Sequence, residues 1–283
     1  MKSPLTYCFG LLLLLLFTAC PADRELAPAF VLVEDFRLET PGLGAATEDI
    51  TEVWAFADDS FIGAFPLPAR IPVPRAGTTE LRLEAGVRQN GISTTPEIYE
   101  FYTPVSRSLE LIPGETIDLG VLEIGYRADV QFAVFENFEP GIPRAFTDQI
   151  VGTAPLEVSA TRIRSGEFSG RLVLDTDNPL VEIATQERLS GLTDERPYVW
   201  LELDYSSEVP VVWGVIGNQG IENIRVFDPG FNARAGWTKI YFNLSEIIVR
   251  STLEEYQLIF SALLPPGEEA GTLYLDNIKL LYF

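Results

Sequence analysis

The sequence predicts an all-β chain: a small N-terminal β-sandwich followed by a C-terminal jelly-roll β-sandwich. Three observations lead there. Short runs rich in β-branched and aromatic residues recur along the chain, each bounded by Gly, Pro, Asp or Asn. Only Ser245–Val249 and Thr252–Glu255 read as short helical turns, and no longer stretch carries an amphipathic helical period. Finally, 47% of the 283 residues are hydrophobic, which suits a folded chain with two cores.

The first residues read as an export signal. Lys2 supplies the charge and Leu11 to Leu16 the apolar run. The stretch from Phe9 to Ala19 is too short for a hydrocarbon core that needs about 20 residues. Phe17-Thr18-Ala19-Cys20 resembles the lipobox of bacterial lipoproteins, with Phe17 standing where an aliphatic residue is usual. The resemblance implies cleavage before Cys20 and acylation of its thiol. Residues 1–19 are then signal peptide and 20–28 a tether. The chain would be held in the cell envelope by lipid at the outer membrane, facing either the periplasm or the outside. An ordinary signal peptide with a chance cysteine is the alternative.

The first domain is expected over residues 29–125. Phe30–Val33, Glu52–Phe56, Leu81–Ala85 and Leu109–Leu111 read as strands, and prolines 66, 68, 72 and 74 demote their stretch to edge or loop. Val53 to Leu67 is strand, Asp58-Asp59-Ser60 turn, strand, then a proline-rich edge. This resembles the small envelope-associated β modules of the PEGA type, with Asp58-Asp59 in place of their usual Asp-Gly. It implies an accessory module.

The second domain is expected over 126–283. Val130–Phe135, Arg171–Leu174, Tyr198–Tyr205, Pro210–Ile216, Trp237–Leu244, Tyr256–Ala262 and Leu273–Leu281 read as strands. Ser165-Gly166-Glu167-Phe168-Ser169-Gly170, Trp237-Thr238-Lys239-Ile240 and Leu275-Asp276-Asn277-Ile278 occur in that order. Together they resemble the galactose-binding-like jelly rolls among carbohydrate-binding modules. Leu273 and Leu275 lie on one strand parity and Ile278 and Leu280 on the other, so a bulge is expected at Asp276-Asn277. In the jelly rolls that the chain resembles, an aspartate near this point helps to hold a structural calcium. Here that implies Glu136, Glu139 and Asp276. Calcium takes six to eight oxygens, so three carboxylates leave most of the shell open. The alternative is that Asp276 bonds local backbone.

Alternation gives each of two strands an apolar face and a mixed one. Val199, Leu201 and Leu203 share one face, with Tyr198, Trp200, Glu202 and Asp204 on the other. In the later strand Thr238, Ile240, Phe242 and Leu244 oppose Trp237, Lys239, Tyr241 and Asn243. A face of rings, carboxylates and amides suits sugars. Trp200, Glu202, Asp204, Trp237, Lys239, Tyr241 and Asn243 are therefore the candidate carbohydrate-binding residues. The same rings could instead pack on the first domain. Exposure of Trp200, Trp237 and Tyr241 favours the sugar reading, and burial favours a structural or assembly protein with protein partners. Trp213 lies in a strand apolar on both faces and reads as core.

Composition narrows the chemistry. No histidine occurs, which removes His-based triads, imidazole acid–base catalysis and histidine-held zinc. The two cysteines, Cys8 and Cys20, both fall in the leader and lipid site. Twenty basic residues against 41 acidic ones give −21, a surface that repels nucleic acid. A glycosidase needs only two carboxylates. Glu202 and Asp204, about 7 Å apart on one strand face, are permissive, but no neighbouring signature supports catalysis. The sequence therefore predicts a non-catalytic envelope lipoprotein of carbohydrate-binding type. An assembly lipoprotein is the first alternative and a carboxylate-dependent glycosidase the second.

Overall fold

The computed structural model describes residues 27–283 apart from 41, 43, 220 and 221. The signal segment, Cys20 and most of the tether lie outside the described residues.

Ten strands make the first sandwich: β1 (Ala29–Val33), β2 (Asp35–Glu39), β3 (Glu52–Ala57), β4 (Ser60–Pro66), β5 (Ala69–Val73), β6 (Gly77–Arg88), β7 (Pro96–Ile98), β8 (Val105–Leu111), β9 (Thr116–Asp118) and β10 (Val121–Gly125). One side is the sheet β5-β1-β9 with the pair β10-β2, and the other is β4-β3-β6-β7 with β8 also on β6. Alternate residues of β1, β3 and β6 (Val31, Val33, Val53, Ala55, Leu81 and Leu83) fill the space between them. Pro72 lies in β5, an edge strand, where its missing N–H costs no ladder bond between neighbours. Asp58 and Asp59 take φ values of 46° and 61°. Both central residues of the β3–β4 hairpin are thus left-handed, as a type I′ turn requires.

Eleven strands make the second sandwich: β11 (Gln131–Glu136), β12 (Phe146–Val151), β13 (Glu157–Ser159), β14 (Ser169–Asp175), β15 (Leu180–Thr185), β16 (Trp200–Ser207), β17 (Val211–Gln219), β18 (Glu222–Phe231), β19 (Arg234–Asn243), β20 (Gln257–Leu263) and β21 (Ala270–Tyr282). The helix α1 (Ser245–Ser251) follows β19. One sheet runs β13-β14-β21-β16-β19 with β11 added to β21, and the other β12-β15-β20-β17-β18. Every pairing within them is antiparallel, so the all-β, jelly-roll expectation holds. Leu201, Leu203, Ile240, Phe242, Trp213 and Phe260 pack in the core between them.

The expected bulge is present. Opposite β16, the register passes from Glu202↔Lys279 to Asp204↔Asp276, leaving two residues of β21 across from one of β16. Asn277 sits there with φ 48°. Asp276 accepts the N–H groups of Asn277 (2.8 Å) and Ser165 (3.3 Å).

The two sandwiches share one seam. Trp200, Tyr241, Leu281 and Phe283 of the second join the core of the first. Tyr99 meets Trp200 and Tyr241 edge-on at 5.4 and 5.0 Å, and Phe101 stacks on Phe283 at 4.8 Å. The turn after β6 lies along β19, an edge strand. There the Asn90 N–H donates to the Tyr241 carbonyl (2.8 Å) and the Asn243 N–H to Asn90 Oδ1 (3.2 Å).

Candidate functional site

The mixed face read from the sequence exists, and the first sandwich covers it. Trp200, Glu202 and Asp204 have no exposed surface, Tyr241 keeps 2% and Lys239 5%. Trp237 and Asn243 stay half-buried at the rim. A glycan laid on this face would have to displace the first sandwich. In this structure the face lies in an interdomain seam, the alternative that burial of its rings was expected to favour. Alternation told which side chains share the face, but nothing in these strands told what lies on it.

The charged groups of the seam are paired with each other and with neighbouring hydroxyls, whereas Trp200 Nε1 and Tyr99 Oη have no hydrogen-bond partner among the described residues. Lys239 Nζ lies 3.2 Å from Glu202 Oε2 and donates to Thr47 Oγ1 at 3.3 Å. Lys279 Nζ lies 3.9 Å from Glu202 Oε1 and donates to Tyr126 Oη at 3.0 Å, while the Tyr126 hydroxyl donates to Glu202. Thr47 also donates to Asp204 (2.6 Å), whose other oxygen takes the Arg164 Nε–H (3.0 Å). Burial draws the Lys279 ammonium down to about 8, against the pull of Glu202. Burial likewise holds the Tyr102, Tyr126 and Tyr241 hydroxyls well above 10, so they stay neutral. Glu202 and Asp204 are locked in these pairs, so the glycosidase reading has no open acid pair here.

The three carboxylates named for calcium each have protein partners in this structure. Glu136 accepts the N–H groups of Phe138 (2.9 Å) and Ala145 (2.8 Å) and pairs with Arg144 at 3.0 Å. Glu139 accepts from Glu167 and Phe168 at 2.7 and 3.0 Å. Asp276 serves the bulge. Each carboxylate already has protein donors, and among the described residues no three acidic, histidine or cysteine side chains form a metal-type group.

What remains open at the seam is a cleft of about 350 Å³ beside the edge strand β19. The first sandwich lines it with Asp49, Arg88, Asn90 and Gly91, and the second with the β18–β19 hairpin, including Asn232 and Arg234, and with Thr238 and Lys239. Tyr205 and Phe231, stacked on each other at 3.7 Å and only 5% and 7% exposed, close its apolar side. A smaller hollow of about 170 Å³ lies on the other side of Asn90, against Asp228, Asn243 and Glu246. Of the seven candidate sugar residues, Lys239 and Tyr241 line the 350 Å³ cleft and Asn243 the smaller hollow beside it. The hairpin residues Asn232 and Arg234 carried no sequence signal, since the stretch reads only as a polar turn.

No family model and no curated protein matches the sequence. Solved structures are similar over about half of it. The family 30 carbohydrate-binding module of a cellulosomal cellulase of Clostridium thermocellum is 14% identical, covering 47% of this chain and 85% of its own, with a TM-score of 0.37. A family 29 carbohydrate-binding module is 14% identical over 55% of this chain and 88% of its own (TM-score 0.34). A family 61 module solved with β-1,4-galactotriose is 11% identical over 45% and 81% (TM-score 0.30). The jelly-roll assignment itself rests on the strand order and pairings given above.

Proposed function

We propose that this chain is a non-catalytic, lipid-anchored protein of the bacterial outer membrane that binds a saccharide in the cleft between its two sandwiches. The cleft carries this reading. It lies between two domains, where ligand sites concentrate. It gathers amide, hydroxyl and charged groups that can satisfy sugar hydroxyls, beside a small apolar patch at Tyr205 and Phe231. The lipobox-like Phe17-Thr18-Ala19-Cys20 supports the anchor, and the PEGA-like hairpin fits an envelope accessory module. The locked carboxylates of the seam support a binding rather than a catalytic role.

A glycan array probed with soluble residues 24–283 tests this, alongside Asn232→Ala and Thr238→Ala. We expect binding that both substitutions weaken while the melting temperature holds. Binding that ignores both would remove the cleft. A second reading, an assembly protein with protein partners, is favoured by the burial of Trp200 and Tyr241. An empty array from a well-folded sample would select it.

A further inference from the structure

We propose that the cleft is built for an acidic saccharide, whose carboxylate is held between Arg88 and Arg234. This inference rests on the saccharide reading above and names its class.

Charge is the first observation. The chain has about twice as many acidic as basic residues, yet three cations and a single carboxylate, Asp49, line this cleft. Commitment is the second. Arg144, Arg164 and Arg225 each pair with an acid at about 3 Å. Lys239 is likewise taken by Glu202. Arg234 has no ion pair among the described residues, and Arg88 reaches Glu52 only at 3.9 Å. Two largely uncommitted guanidinium groups, one from each sandwich, therefore face one cleft. A guanidinium offers a planar fork that fits a carboxylate with two parallel bonds. Among the described residues the Asp49 carboxylate has no hydrogen-bond or ion-pair partner and is free to accept from sugar hydroxyls, while Tyr205 and Phe231, only 5% and 7% exposed, leave a narrow apolar strip at the cleft. A carboxylate, several hydroxyls and an apolar face occur together in a hexuronate. The anionic ligand also explains why the site sits on an otherwise repelling surface: the local cations select it, and the surrounding acids oppose anions elsewhere.

The test is calorimetry on the purified protein with oligogalacturonate, the matched neutral galactose oligosaccharide, and sodium acetate as a carboxylate alone. Wild type, Arg88→Gln, Arg234→Gln and Asn232→Ala are compared, with melting temperatures as the folding control. Because a charge-assisted contact is stronger than a neutral one, we expect oligogalacturonate to bind at least tenfold tighter than the neutral sugar. Each arginine substitution should lose roughly tenfold or more. Equal binding of acidic and neutral sugars, weakened by Asn232→Ala but not by the arginine variants, overturns the acidic assignment and leaves the saccharide cleft standing. Acetate binding as tightly as oligogalacturonate overturns the saccharide part. No sugar binding, or binding indifferent to all three substitutions, overturns both.

Discussion

Replacing Glu202 by Gln isolates the ionic centre of the seam. The carboxylate is fully buried, with ammonium groups at 3.2 Å (Lys239) and 3.9 Å (Lys279) that are themselves 1% and 0% exposed. At an effective dielectric near 20, those two attractions are about 5 and about 4 kcal/mol before desolvation is charged against them. Most of that gain offsets the cost of burying three ions. The substitution leaves both lysines buried without their counter-ion, and breaking such a pair from one side typically costs about 3–5 kcal/mol. Burial already draws Lys279 down to about 8, and Glu202 is what holds it up. Without Glu202 its ammonium deprotonates at still lower pH. The native wild type then binds more protons than the native variant below pH 8. The wild-type advantage is therefore greatest in mild acid and shrinks as pH rises through 8. Urea unfolding at pH 6 and pH 9 measures both effects, and proteolysis across residues 124–130 reports loosening of the seam. A loss under 1 kcal/mol at pH 6, or a loss that grows with pH, would refute the reasoning.

Three further outcomes follow from other parts of the structure. Burial pushes the Asp276 carboxyl up to about 7 from 3.8. The stability it contributes is present below pH 3.8 and lost as pH rises through 7, about 4 kcal/mol at most. Asp276→Asn should accordingly gain on wild type between pH 4 and pH 8, on top of a constant loss from the Ser165 bond; parallel urea-unfolding curves would contradict this. Trp200→Ala empties a fully buried site in the seam and should cost about 3–5 kcal/mol, while calorimetry on the folded fraction keeps the wild-type sugar affinity. Asp59→Gly relieves a left-handed aspartate at φ 61° and should raise stability by about 1 kcal/mol, read as an upward shift in melting temperature.

Much of the fold is legible in the sequence, because alternation reports burial directly. Leu201 and Leu203 face the core as their parity requires, Trp213 is core, and the parity break after Leu275 marks a real bulge. The strands that escape notice are those whose local signals conflict with their state. β18 carries Asp228-Pro229-Gly230, which reads as a turn, yet the strand pairs only with β17 at a sheet edge, where an unpaired N–H is no loss. β15 follows Asp175–Pro179 and is buried on both faces, so it shows no alternation to mark it as a strand. The site is harder to read for a different reason. Trp200, Glu202, Lys239 and Tyr241 have the composition of a sugar face, and aromatic rings with charged partners are equally the composition of a polar interface. Which one forms depends on where residues 47–49 and 88–102 lie, and that is set by packing across some 150 residues of chain.

Hydrogen exchange on the protein with and without a saccharide selected from the array tests the central claim most directly. We expect added protection confined to residues 88–91 and 230–239, the two walls of the cleft. Protection centred instead on the outer face of the other sheet, around Asp148, Arg225 and Gln257, would contradict the claim that ligand binds at the seam.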